Sequence, residues 1–167
     1  MDGRKPRYLY HGSQYLTDTL EPCPARGVGP QEDRLYAIYA SHVRNFAIPF
    51  ALPMNPDDKG NTSWSMSFHR QCPDLEGDTS AEGEPRMTVK AGHVDLSRVG
   101  YLYRVPSDSF EKIDEHQWVS YISVKPVDHE IIYPSDYIRW VRSSAVKKSP
   151  IKCKFYTLSL GLLKNNS

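Results

Sequence analysis

Nowhere does the chain carry an apolar run near the roughly 20 residues that a membrane-spanning helix needs. Its opening residues, Met1-Asp2-Gly3-Arg4-Lys5-Pro6-Arg7, lead into no signal-peptide core. A cytoplasmic protein with no membrane partner is the expectation. Cysteine is scarce: Cys23, Cys72 and Cys153 are widely spaced and odd in number, which excludes a closed disulfide framework and suits free thiols in a reducing compartment. An excess of one charge is also missing. The 21 basic and 20 acidic residues leave a net charge of +1, too little for a strong overall field toward nucleic acid. Glycine patterns of the phosphate loop and of the Rossmann dinucleotide fold are absent, as is a Gly-x-Ser-x-Gly nucleophile elbow. No internal repeat is present. His69-Arg70-Gln71-Cys72 has the spacing of two metal ligands, but no second pair stands at a matching distance, and His42, His93, His116 and His129 are scattered, so no metal site is expected.

What is there is a globular composition, 39% hydrophobic and 25% charged over 167 residues, the size of one domain with room for a real core. A single domain over 1–167 is therefore expected. Its charge is unevenly spread: from Asp136 onward Arg139, Arg142, Lys147, Lys148, Lys152, Lys154 and Lys164 face only Asp136 itself, which marks a basic C-terminal segment from about residue 142.

Arg7 to Tyr10 reads as a short strand, with His11 at its end and a turn at Gly12-Ser13. Cys23 to Asp33, with Pro24, Gly27, Gly29 and Pro30, reads as a loop, and Leu35-Tyr36-Ala37-Ile38-Tyr39-Ala40 as a second strand. Val43 to Leu52 has apolar residues at helical spacing, interrupted by Pro49. A loop is expected from Pro53 to Gly60, and a half-buried strand over Ser63 to Phe68, where polar and apolar residues alternate. Pro73 to Pro85 reads as an acidic surface loop. Further strands are expected at Arg86 to Lys90, Val99 to Val105 and Trp118 to Val124, and a helix start at Pro134-Ser135-Asp136. Phe155 to Leu163 is apolar but shows no clear period. Trp64, Trp118 and Trp140 sit in apolar stretches and read as core. Many strands with two short helices make an α+β domain with mainly antiparallel sheets.

A histidine followed by Gly12 and Ser13 invites a ligand, because glycine lets it approach the backbone and imidazole offers a neutral hydrogen-bonding edge; a strand-capping structural histidine is the other reading. At this point the sequence resembles the ADP-ribosyltransferase superfamily, in its diphtheria-toxin-like and poly(ADP-ribose)-polymerase-like branch with a His-Tyr-Glu triad. Leu9-Tyr10-His11-Gly12-Ser13 is similar to the first landmark. Leu35-Tyr36-Ala37-Ile38-Tyr39-Ala40-Ser41, entering the segment that ends Phe46-Ala47-Ile48-Pro49-Phe50, is similar to the second, and Glu115-His116-Gln117-Trp118-Val119-Ser120-Tyr121 to the third.

The resemblance implies a split antiparallel β core holding NAD, as substrate, in a cleft between two small sheets. It implies that His11 hydrogen-bonds a ribose hydroxyl, that the Gly12 backbone, next to Ser13, meets the nicotinamide amide, and that Tyr39 stacks on the nicotinamide ring, with Tyr36 as the alternative on the opposite strand face. Tyr39 is favoured because it directly precedes the small Ala40-Ser41 pair. For the third residue it offers Glu115 or Gln117, with Glu111 and Asp114 nearby. A carboxylate there faces the positive charge of an oxocarbenium-like state, whereas a glutamine only grips the ribose. Arg4, Arg7 and Arg44 are candidates for the pyrophosphate. The activity implied is transfer of ADP-ribose to a macromolecular acceptor, protein or nucleic acid. A nucleotide- or ADP-ribose-binding module without turnover is the alternative. A related RNA 2'-phosphotransferase is a further one, although its histidine-bearing second strand and its arginines are not found in the expected places.

Overall fold

A computed structural model describes residues 4–25, 35–68, 83–143 and, by backbone alone, 156–164. Thirteen strands run along these residues: β1 (Tyr8–Ser13), β2 (Cys23–Pro24), β3 (Tyr36–Ala40), β4 (Met54–Asn55), β5 (Asn61–Phe68), β6 (Pro85–Ala91), β7 (His93–Val94), β8 (Gly100–Pro106), β9 (Glu111–Lys112), β10 (Trp118–Ser120), β11 (Asp128–Ile132), β12 (Val141–Ser143) and β13 (Tyr156–Lys164). Among the described residues they form sheets in the orders β1-β8-β11, β2-β3-β10-β9, β12-β6-β5-β13 and β4-β7. Every pairing is antiparallel except that of β12 with β6. The α+β expectation of mainly antiparallel sheets with few helical residues holds. No helix among the described residues is long and apolar enough to cross a membrane.

The clearest strand signal is β5, where Thr62, Trp64, Met66 and Phe68 point inward and Ser63, Ser65 and Ser67 outward; side chains on successive strand residues face opposite ways, so this sequence buries one complete face. Pro49 resolves the interrupted helical segment in a specific way. One α turn, Arg44–Ala47, passes into a 3-10 turn, Ile48–Ala51, and the proline occupies the opening of the second piece, where a missing N–H leaves nothing unsatisfied.

Two cores flank the β1–β8 pair. On one side Leu9, Tyr103 and Val105 join Ile38, Ala40 and Trp118. On the other, Leu102 joins Phe46, Ile48, Ala51, Trp64, Met66 and Phe68, with Tyr10 packed against them. All three tryptophans are buried, as expected.

Several boundaries differ from the sequence reading. The expected turn at Gly12-Ser13 is strand: Gly12 pairs with Leu102 and Ser13 with Tyr101, so His11 lies inside β1 rather than at its end. The chain turns just afterward, where Ser13 Oγ accepts from the Tyr15 N–H at 3.1 Å. β2 occupies the start of the expected loop from Cys23, and β4 lies within the expected Pro53 to Gly60 loop because Met54 and Asn55 pair with Val94 and His93. The strand expected over Trp118 to Val124 stops at Ser120. There the Ser120 hydroxyl donates to the Ile122 carbonyl at 3.1 Å and bends the chain, after which Val124 forms an isolated bridge with Leu20. At Pro134 the chain forms two 3-10 turns, Pro134–Asp136 and Ile138–Trp140, instead of a longer helix. The aperiodic C-terminal stretch is β13, paired with β5. The His69 to Cys72 ligand pair, most of the Pro73 to Pro85 loop, and Cys153 lie outside the described residues.

Candidate functional site

The candidate site is the place where β1 and β3 part. These strands share the bridge Tyr10–Ser41, with N···O distances of 2.7 and 2.9 Å in its two hydrogen bonds. Beyond it, the Tyr39 carbonyl accepts from His11 Nδ1 at 2.6 Å. A side chain has entered where an antiparallel ladder would bring backbone to backbone. This explains how His11, on the Leu9 side of β1, reaches a neighbouring strand's main chain.

A carbonyl oxygen only accepts, so this bond places the proton on Nδ1, and in the neutral ring Nε2 is an acceptor. Burial lowers the imidazole pKa from its ordinary value, while the Tyr39 carbonyl pulls weakly the other way. The neutral, Nε2-accepting tautomer is thus the form the fold selects. Tyr103, paired with His11 across the ladder, stands 6.3 Å away ring to ring. Its hydroxyl donates to the Tyr15 carbonyl at 2.9 Å and accepts from the Thr17 N–H at 2.8 Å, which fastens the segment after β1. Tyr103 was not singled out from the sequence, and nothing in its local pattern marks it.

Gly12 faces the other core. A Cβ built on it would stand 2.2 Å from the Ala47 carbonyl oxygen and 2.8 Å from the Ala51 nitrogen. Its missing side chain is therefore where the helical turn sits on the sheet. On β3, Tyr36 is 65% exposed opposite Pro24, whereas Tyr39 is half-buried with its hydroxyl accepting from the Leu35 N–H at 3.0 Å. The tyrosine phenol thus lies back along its own strand. Of the two alternatives, Tyr39 is the one whose peptide meets His11.

The third landmark heads β10, whose Val119 pairs with Tyr39. Gln117 is buried and Glu115 is exposed on the preceding bend. The organising group is Asp114: its carboxylate accepts from the main-chain N–H groups of His116 at 2.8 Å and Gln117 at 2.7 Å, and from Gln117 Nε2 at 2.7 Å. The Ile113 N–H donates to the Gln117 carbonyl at 3.0 Å and closes the turn. An aspartate holding N–H groups two and three residues ahead is a recognisable local pattern, and Asp114-x-x-Gln117 could have been read as one. Glu111 lies on β9 opposite Val119.

Elsewhere, the Arg44 guanidinium is bound by the Glu130 carboxylate, and Arg7 lies over the Tyr8 ring at 5.2 Å. Among the described residues no three His, Cys, Asp or Glu side chains are grouped to hold a metal ion. No protein-family model matches the chain, and neither curated proteins nor solved structures gave a match.

Proposed function

We propose that this chain is an NAD-dependent ADP-ribosyltransferase whose ribose-holding group is His11. The observation that carries the reading is the His11 Nδ1–Tyr39 carbonyl bond at the parting of β1 and β3, in the segments that resemble the family. Nε2 then accepts from a ribose hydroxyl without needing to change tautomer, and a preset acceptor costs little reorganisation. In the reaction the bond between the ribose anomeric carbon and nicotinamide nitrogen breaks, and nicotinamide leaves with the bonding pair. A nucleophile of the acceptor then bonds to that carbon and gives up its proton. Glu115, exposed beside the head of β10, is the carboxylate proposed to face the transient positive charge.

A second reading, a nucleotide- or ADP-ribose-binding module without turnover, is favoured by one feature. The residue directly before β10 is the uncharged Gln117, and its amide nitrogen is committed to Asp114. Gln117 then grips a ribose hydroxyl but supplies no charge.

Nicotinamide release and NAD binding by calorimetry, measured on the unaltered protein and on His11→Ala, Glu115→Ala and Gln117→Ala, distinguish these. The transferase reading expects release that is lost in Glu115→Ala and weakened NAD binding in His11→Ala. NAD binding with no release in any form supports the module. Undiminished affinity in His11→Ala would rule out both.

A further inference from the structure

At the other end of β1 from the turn after Ser13 lies a hollow of about 640 Å³ that the readings above do not use, lined by Lys5, Arg7, Tyr8, Pro106, Ser107 and Val127 among others. Its walls are fixed. The Ser107 N–H donates to the Arg7 carbonyl at 3.1 Å, and the Ser107 hydroxyl donates to the Pro6 carbonyl. The Lys5 ammonium is tethered at the rim, donating to the Asp108 carbonyl at 3.1 Å. The Tyr8 ring carries two guanidiniums, with the central carbons of Arg7 at 5.2 Å and Arg104 at 4.9 Å from its centroid. Val127, 50% exposed, adds an apolar edge.

We propose that this groove binds single-stranded nucleic acid, which is then the acceptor class of the proposed transfer. Lys5 and Arg7 are two exposed cations on the groove against one exposed acid, Asp108, and the chain's net charge is only +1, so attraction for a polyanion is local to such places. A flat ring flanked by guanidiniums is a surface on which a base lies face to face, and every base has such a face. A phosphorylated serine or threonine side chain has no such face to lay on the ring. The fork of Arg104 is engaged by the Asp128 carboxylate, which leaves its flat side as the contact it offers. Tyr8 and His11 are three residues apart on one strand, roughly 10 Å at about 3.3 Å per residue, and face opposite sides of it, so a nucleic acid strand held at Tyr8 reaches the parting of β1 and β3 by crossing the edge that β1 forms on its sheet.

The test is fluorescence anisotropy of a labelled oligo(dT) strand with the whole chain, without NAD, over a range of salt. Lys5→Ala and Arg7→Ala are each expected to weaken binding severalfold and to flatten the slope of log affinity against log salt by about 0.7, the value for one phosphate contact on a single strand. Lys59→Ala, on an exposed turn away from the groove, should bind like the unaltered protein. Because Lys5 and Arg7 are exposed, thermal unfolding should match across the set, and Arg7→Glu should bind still more weakly than Arg7→Ala. Unchanged affinity in both alanine variants, absent binding by the unaltered protein, or equally good competition by a phosphopeptide would overturn the proposal. The acceptor role alone rests on the transferase reading: strand binding without nicotinamide release removes the transfer and leaves the groove, and release without strand binding does the reverse.

Discussion

Replacing Gly100 by alanine isolates the contact that seats the helical turn on the sheet. Neither Gly100 nor Gly12 has the positive φ found at Gly60 and Gly92, so both backbones accept an L-residue. Entropy of the unfolded chain alone would then make each alanine stabilising, by roughly 0.4–1 kcal/mol. Space opposes this. A Cβ at Gly100 would stand 1.6 Å from the Ala51 carbonyl oxygen, and one at Gly12 2.2 Å from the Ala47 oxygen. These neighbours are backbone atoms of the continuous α and 3-10 turns and cannot rotate away, so that 44–51 segment must lift from β8 and β1. Overpacking of this kind costs about 1–3 kcal/mol, and backbone displacement puts both sites at the upper end or beyond. Steric loss therefore exceeds entropic gain, and the expected net effect of Gly100→Ala is destabilisation by about 2 kcal/mol or more. Gly12→Ala should be somewhat milder because its contact is longer. The double variant should lose less than the summed singles, since one lifted turn relieves both clashes. Urea denaturation followed by tryptophan fluorescence measures this directly, because Trp64 packs edge-on against Phe50 of the same turn at 5.2 Å. A Gly100→Ala protein as stable as the parent, or more stable, would refute the packing argument.

His11 should make stability depend on pH. Its folded pKa is lowered, mainly by burial, so the contribution is complete above the unfolded value of about 6.5 and is lost as pH falls through the folded pKa; denaturation midpoints against pH should be flatter in His11→Asn. Asp114→Ala removes the acceptor of three hydrogen bonds at the head of β10 and, on an exposed carboxylate, should cost about 1–2 kcal/mol by urea titration. Asp114→Asn keeps an oxygen for the main-chain donors and should retain most of that stability. Gly92→Ala combines a φ of +76° with a Cβ placed 2.3 Å from the Asn55 oxygen, while Gly60→Ala meets nothing within 4 Å. Thermal melts should show Gly92→Ala as clearly the worse, and equal effects would contradict the contact at Asn55.

The legible parts of the fold were those where one face of an element is wholly buried. β5 announces itself because serine alternates with Trp64, Met66 and Phe68, and β3 and β8 because apolar residues run together in them, Ala37, Ile38 and Ala40 in the one and Leu102, Tyr103 and Val105 in the other. β11 was missed for the opposite reason. Asp128, His129, Glu130 and Ile131 are all exposed and only Ile132 is buried, so that strand exists through its ladder to β8 rather than through its side chains. The short pairs β4–β7 and β2–β3 are likewise made by main-chain register, which no residue pattern encodes.

The same distinction governs the candidate site. His11, Tyr39 and Gln117 could be picked out as residue types, but strand parity places the His11 side chain with Leu9 and leaves Tyr39 on the face opposite Ile38 and Ala40. Alternation alone would keep the two apart. What joins them is the end of pairing after Tyr10–Ser41, which frees the Tyr39 carbonyl for the imidazole. At the next residue Gly12, which an unbroken ladder would pair with Tyr39, seats the 44–51 turn on its bare α-carbon. The glycine beside the histidine thus has a structural task of its own. A lifted turn in Gly12→Ala should therefore disturb the imidazole as well as stability. The His11 ring carbon proton resonances, followed by NMR against pH, should titrate nearer the ordinary value in that variant. An unchanged titration in a destabilised Gly12→Ala protein would separate the packing role of Gly12 from the site.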